Sequence, residues 1–244
     1  HMVVDAQSLI CFLKDIIELY CNEKYEGVPY PKDMASYIEQ LEKDLAYEAG
    51  SKAQARDIEY FQKEIAKSEP IFSGIRGKGQ LEAAREMFKN PDLRSAFSAT
   101  DDTKSALDIF HLEAEPTRRL MDFCETYHVS LACLLLMGLR TYLQKMNGFE
   151  DVSINNAIAR RATLKEKKCG GTRIHSFPIR TIFPEDMKFI DGVYAIRDKQ
   201  NEIFRHANYD PTAYFAYRSQ IFPQPQAGLT YETISLTYQP MTLQ

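Results

Sequence analysis

The chain has no surplus of positive charge. Its 244 residues carry 30 Lys and Arg against 34 Asp and Glu, a formal net charge of -4, so no overall field draws it to a phosphate backbone and no nucleic-acid partner is expected. The one dense basic run, Lys165, Lys167 and Lys168, reads as a solvated loop. Paired cysteine motifs are missing as well. Cys11, Cys21, Cys124, Cys133 and Cys169 show no CxxC spacing, and their odd count is awkward for a secreted disulfide framework. This usage suits a reducing cytoplasm, and Cys11 and Cys133, set in apolar helical stretches, are read as small core hydrophobes rather than catalytic thiols. Long apolar runs are absent too. The longest, Leu131 to Leu139, falls well short of the ~20 residues that cross a bilayer, so no membrane partner is expected. His1-Met2-Val3-Val4-Asp5 offers no basic start ahead of an apolar region, so no signal peptide is expected. No Gly-rich phosphate loop with its Lys occurs, which argues against nucleotide hydrolysis. His111, His128 and His206 have no partners at metal-ligand spacing, and no metal site is expected.

What is present is an ordinary globular composition, 44% hydrophobic and 26% charged, in a length that suits one large domain or two modest ones. Leu9, Phe12, Leu13, Ile16, Ile17 and Tyr20 recur at three- and four-residue steps and predict an amphipathic helix over Asp5 to Tyr20. It is entered from a strand tail at Met2 to Val4, with Asp5 in the turn. Asn22 to Pro31 is a Gly/Pro loop. Asp33 is a candidate cap for a helix whose apolar face holds Tyr37, Leu41, Leu45 and Ala49, and a charged helix from Gln54 to Lys67 turns Ile58, Phe61 and Ile65 inward. Ser68 to Ser105 reads as a connector with one short helical stretch, Leu81 to Phe88, and Ser105 to Leu112 alternates as a strand.

Pro116 suits the first turn of a helix that ends near His128, with Leu120, Phe123 and Cys124 along one face. Leu131 to Leu143 is apolar nearly all round and predicts a buried helix, followed by Gly148. Val152 to Ile158 and Ile174 to Phe183 read as strands around a polar loop, Arg160 to Gly171. Pro184 to His206 and Pro211 to Tyr217 read as helices, and Tyr231 to Tyr238 as a strand. The alternation, without any fixed repeat, indicates an α/β protein, and a sheet element so near Gln244 predicts that the chain continues in its natural context.

The residues that carry chemistry begin at His1 and Asp5, with three residues between them at the predicted strand-to-helix turn. Strand alternation puts both on one side. The spacing alone is common in surface turns, and His-Met also matches the remnant of an expression tag, in which case His1 carries no native information. Placed against the rest of the chain, His1-Met2-Val3-Val4-Asp5-Ala6 resembles the His-His-x-x-x-Asp-Gly motif of nonribosomal peptide synthetase condensation domains, within the wider superfamily of chloramphenicol-acetyltransferase-like acyltransferases. His1 takes the place of the second histidine. The Tyr37 and Tyr60-Phe61 stretches and the Glu115 to Leu143 helix pair follow in the family's order. Asn156-Ala157-Ile158-Ala159-Arg160-Arg161 resembles the family's strand and Gly-Arg turn, with Arg161 at the Arg. Gly171-Thr172-Arg173-Ile174-His175-Ser176-Phe177-Pro178-Ile179-Arg180 is similar to Gly-Leu-Phe-Val-Asn-Thr-Leu-Pro-Leu-Arg, and Ile234 to Pro240 to Leu-Phe-Asn-Tyr-Gln. Ala6 in place of the motif Gly, Arg160 in place of Gly and His175 in place of Asn are departures.

The resemblance implies a two-lobe α/β fold of the chloramphenicol-acetyltransferase type, residues 1–105 ending the N-terminal lobe and 106–244 forming a truncated C-terminal lobe. It implies amide formation between a carrier-bound acyl or aminoacyl thioester donor and an aminoacyl acceptor, with substrates on phosphopantetheine arms and no cofactor bound directly. The implied partners are upstream and downstream peptidyl carrier proteins and an adjacent adenylation domain, in the cytoplasm. His1 would orient or deprotonate the incoming amine, since imidazole titrates near neutrality. Asp5 would be structural, its buried carboxylate paired with the bidentate guanidinium of Arg161. His175 is read either as a cleft residue or as a satisfied structural histidine. With most of the first lobe missing, no activity is expected of this piece alone. The alternatives are a non-catalytic relative that recruits carrier or tailoring proteins, and a free-standing acyltransferase of the same superfamily.

Overall fold

The computed structural model describes residues 4–32, 36–98 and 104–239. Helix starts follow local chemistry: Asp5, Ser36, Ser51, Ser130, Thr163 and Asp210 each place a side-chain oxygen on a free backbone N–H. They open α1 (Ala6–Lys24), α2 (Tyr37–Glu48), α3 (Lys52–Ala66), α6 (Leu131–Asn147), α7 (Leu164–Lys167) and α9 (Pro211–Ile221). The remaining helices are α4 (Gly79–Met87), α5 (Ala114–Tyr127) and α8 (Phe189–Arg205). Ends are as local: α6 stops at Gly148 with φ 74°, and α5 stops at His128, which takes φ 52°.

β2 (Asp151–Ala159) is the centre of a mixed three-stranded sheet, antiparallel to β3 (Ile174–Ile182) and parallel to β5 (Ser235–Leu236). β1 (Ala96–Phe97) pairs antiparallel with β4 (Leu229–Thr230). The register sets Ile154 opposite Ile179 and Ile158 opposite His175, so Val152, Ile154, Ile158, Phe177 and Ile179 join one buried cluster with Leu136, Leu143, Val193, Ile196 and Phe61. Phe61 stacks on Phe177 with ring centroids 4.8 Å apart, which draws α3 into the same core as the strands. A smaller cluster, Ile71, Phe72, Leu81, Ala84, Leu93 and Ala96, gives the stretch read as a connector a core of its own.

Several sequence expectations are corrected. Residues 105–112 form no strand: Leu107, Ile109, Phe110 and Leu112 are exposed, and an extended segment without a ladder partner has nothing to hold it as sheet. The apolar stripe of α1 exists but lies open among the described residues, Phe12 and Ile17 being 54% and 60% exposed while Ser8 is the buried residue. α2 likewise turns Gln40 inward and leaves Leu41 and Leu45 outside. α6 is one-sided, with Leu135, Tyr142 and Met146 exposed. α8 begins at Phe189, after a turn closed by the Met187 N–H on the Pro184 carbonyl. Within 231–238 only Ser235 and Leu236 belong to a strand, because Tyr231 and Glu232 face inward to bond Glu69 and Arg218. The expected cap Asp33 and the strand tail at Met2 and Val3 lie outside the described residues.

Candidate functional site

The first buried acid of the chain, Asp5, sits in extended conformation at the N-cap of α1 and is 2% exposed. Its Oδ1 accepts from the Ser8 N–H and hydroxyl, both at 2.8 Å, and its Oδ2 from the Arg173 N–H at 3.0 Å. Arg161, just past the end of β2, donates Nη2 to both carboxylate oxygens at 3.0 Å. The structure thus brings these two together across 156 residues. The expected fork is altered in one respect: both contacts come from a single nitrogen. Nη1 turns instead to the carbonyls of Glu166 and Cys169, each at 2.6 Å, one in the last turn of α7 and one just beyond it, where the negative end of the helix favours a cation. Burial raises the Asp5 pKa, but the hydrogen bonds from Ser8, Arg173 and Arg161 outweigh it and hold the carboxyl below the usual range.

Two partners of this clamp escaped the sequence reading. The Ser8 hydroxyl shares its single proton between Asp5 Oδ1 and the Gly171 carbonyl, and that carbonyl also receives Arg161 Nη2 at 2.9 Å. Gly171 has φ +88°, and a Cβ there would stand 2.1 Å from the Tyr37 ring. Gly171→Ala is therefore expected to destabilise the chain by ~2–4 kcal/mol, joining left-handed strain to overpacking. A urea midpoint within error of wild type would show that the loop and Tyr37 simply yield. Arg173, 2% exposed, is the other partner. It donates Nε to the Arg160 carbonyl at 2.9 Å and Nη1 to Asp44 at 2.9 Å, which ties α2 to the turn that carries Asp5. Ser8 was legible from its N3 spacing after Asp5; Arg173 and Asp44 gave no local signal.

His175 lies on β3, two residues beyond Arg173, half-buried, with Nδ1 2.8 Å from the Ala207 carbonyl. Burial, followed by the nearby charge of Arg160, pushes its pKa down to about 4. The unfolded chain takes up this proton near pH 6.5 and the folded chain only near 4, so stability falls as pH drops through that window. One proton sets a limit of ~1.4 kcal/mol per pH unit, reduced by the ring's partial exposure. His175→Asn is expected to flatten that fall, measured as urea midpoints at pH 7, 5.5 and 4.5; an unchanged slope would assign it elsewhere. His1 lies outside the described residues. His206 pairs with buried Asp57 at 2.8 Å and stacks on Tyr60, a contact spacing did not reveal. Among the described residues no group of three or more His, Cys, Asp and Glu is set to hold a metal ion, and no single helix is long and apolar enough to cross a membrane.

A mixed sheet backed by helices, with an acid at a helix N-cap locked to the arginine after the central strand, has the chloramphenicol-acetyltransferase-like fold, as the solved relatives do. The condensation domain model matches residues 1–213, and the chain belongs to the condensation domain family. It is 21% identical over 249 aligned residues to surfactin synthase subunit 1 of Bacillus subtilis (strain 168), covering 100% of this chain and 6% of that protein. The first condensation domain of the calcium-dependent antibiotic synthetase, solved with a substrate analogue, superposes with TM-score 0.71 at 18% identity, over 97% of this chain and 46% of its own. Holo-AB3403, a four-domain nonribosomal peptide synthetase bound to AMP and glycine, superposes with TM-score 0.71 at 12% identity, over 98% of this chain and 16% of its own. The chain thus spans less than half the length of each of these relatives.

Proposed function

We propose that this chain supplies one wall of a condensation active site that joins a carrier-bound acyl or aminoacyl thioester to the amine of a carrier-bound aminoacyl acceptor. The observation that carries the reading is the Asp5 clamp. Hydrogen bonds from Ser8, Arg161 and Arg173 fix the turn immediately after the segment holding His1, in a chain matched by the condensation domain model from residue 1. A thioester carbonyl attacked by an amine needs the amine aimed, its proton removed and the oxyanion stabilised. His1 is the group assigned to the amine; Asp5 and Arg161 touch no substrate and position the turn. His175 is the residue that β3 adds to the same region.

Residues 1–105 close the first lobe of the domain in this reading, and 106–244 open the second. The exposed stripe of α1 and Leu107 to Leu112 are then the surfaces that the rest of the domain covers. Peptidyl carrier proteins bring both substrates on phosphopantetheine arms, beside an adenylation domain. The names of the synthetases it resembles support that setting. The test is transfer by the complete domain between two loaded carrier proteins, followed by mass spectrometry: appearance of the upstream acyl group on the downstream carrier is expected. Carrier binding without transfer would favour a non-catalytic docking role.

A further inference from the structure

A cavity of about 320 Å³ opens between α3, β3, α8 and α9, and no member of the Asp5 clamp lines it. Its apolar walls come from Tyr60, Phe61 and Ile65 of α3, Ile203 of α8, Phe183 just past β3, and Tyr214 of α9. Phe61, Ile65, Phe183 and Ile203 are buried, and the two tyrosines are half-buried. An apolar cavity of ~150 Å³ already takes up benzene, so this one has room for two fused rings with a short substituent. Its size and its mainly apolar, aromatic lining are those of a small-molecule site.

The charges around it are uneven. Among the described lining residues, Lys67, Arg180, Lys199 and Arg218 stand against one carboxylate, Glu64. Asp151 and Glu232, which hold Arg180 and Arg218, do not line the cavity, so those ion pairs turn their positive ends toward it. Lys67 and Lys199 both hold Glu64, at 2.5 and 2.6 Å. Each ammonium carries three donors, and Glu202, 3.6 Å from Lys199, is beyond hydrogen-bond reach. Both lysines are partly open to solvent and keep protons for a second acceptor. Burial raises the pKa of Tyr60 and Tyr214, the latter to about 12, so these walls stay uncharged phenols at neutral pH. An electron-rich ring suits such a place, because aromatic walls pair with it and cations are drawn to its face.

We propose that this cavity binds an aromatic carboxylate, its ring against Tyr60, Phe183 and Tyr214 and its carboxylate taken by Lys67 and Lys199 where they reach solvent. The site goes beyond the condensation reading and does not rest on it. No bond is made or broken in it.

The test is direct binding to the 244-residue chain. The chain contains no tryptophan, so on the red edge of tyrosine absorption the emission of indole-3-acetate reports the probe alone. A saturable blue shift is expected. Its dissociation constant should lie about fivefold below that of tryptamine, which has the same ring and a cationic tail, the scale of a partly exposed ion pair. Lys199→Gln is expected to weaken indole-3-acetate by about threefold to fivefold and to leave neutral indole unchanged. Ala195→Phe, which puts a ring into the cavity from the α8 wall, is expected to abolish binding of both. Each variant is compared once its urea midpoint matches wild type; if Ala195→Phe unfolds, Lys199→Gln and the tryptamine comparison carry the test. No saturable shift, equal affinity for tryptamine, or undiminished binding in a folded variant overturns the site. So does binding to the 244-residue chain that is lost in the complete domain, which would make the cavity a gap that the rest of the domain fills. Carrier transfer plays no part in the readout, so its failure removes the condensation reading and leaves this site standing.

Discussion

Asp5→Ala is expected to destabilise the chain by about 3–5 kcal/mol, the cost of removing one member of a buried ion pair and stranding the other. Arg161 is 3% exposed at its side chain and Asp5 2%, so neither charge can turn to water without unpacking the turn. The same change deletes the N-cap of α1, worth ~1 kcal/mol of that total, and leaves the Arg173 N–H without its acceptor. Asp5→Asn separates the parts: it keeps an oxygen for the Ser8 N–H and loses the charge opposite Arg161, and an intermediate loss is expected. Arg161→Met should cost a comparable amount alone. In the double variant the two losses should fall short of their sum by more than ~0.5 kcal/mol, because the second change removes a charge already stranded. Strict additivity in denaturant unfolding would mean that the pair makes no joint contribution. The pH dependence gives a second handle. A carboxyl whose folded pKa is depressed stabilises the chain above its unfolded value and loses that contribution as pH falls. Asp5→Ala is thus expected to flatten the acid limb of the stability curve below about pH 4, a window separate from the higher one assigned to His175.

What the sequence made visible follows the range of the forces involved. The helix at Asp5, the Gly148 stop and the strands Val152 to Ile158 and Ile174 to Phe183 are written in caps and alternation a few residues apart, and they stand with shifted ends. The Asp5 to Arg161 contact spans most of the chain, yet the ordered motifs of the family resemblance pointed to it, since a buried carboxylate demands a partner. Arg173 and Asp44 had no such guide: Arg173 replaces an aromatic residue of the resembled segment, and its carboxylate arrives from a helix 129 residues earlier. The segment 105–112 misled for the opposite reason. Its alternation is genuine, but a strand is a relation between two chains of backbone, and the described residues supply no partner. The open stripe of α1 teaches the same point for helices: periodicity says which face is apolar, and only the neighbour decides whether that face is buried.

In the complete domain, His1→Ala is expected to lower the transfer rate by ~100- to 10,000-fold, the usual range for loss of a group that handles a proton in the transition state. His1 itself lies outside the described residues, and the described structure begins at the turn after it. Asp5 is fixed by Ser8, Arg161 and Arg173, so the turn at residue 5 is a rigid anchor, and rigid placement of a reacting group is where large rate factors originate. A general base and a positioning group make different signatures. If His1 accepts the ammonium proton, the transfer rate rises with pH through an imidazole-like pKa in wild type and that limb vanishes in His1→Ala. If it only orients the amine, the rate drops without a change in profile, and His1→Gln, which retains a hydrogen-bonding side chain, recovers part of the activity. Asp5→Ala, acting on placement alone, should reduce transfer while leaving the shape of the pH profile intact. Unchanged transfer in His1→Ala under single-turnover conditions, with both carriers loaded, would remove the imidazole from the mechanism and leave the clamp as a structural device.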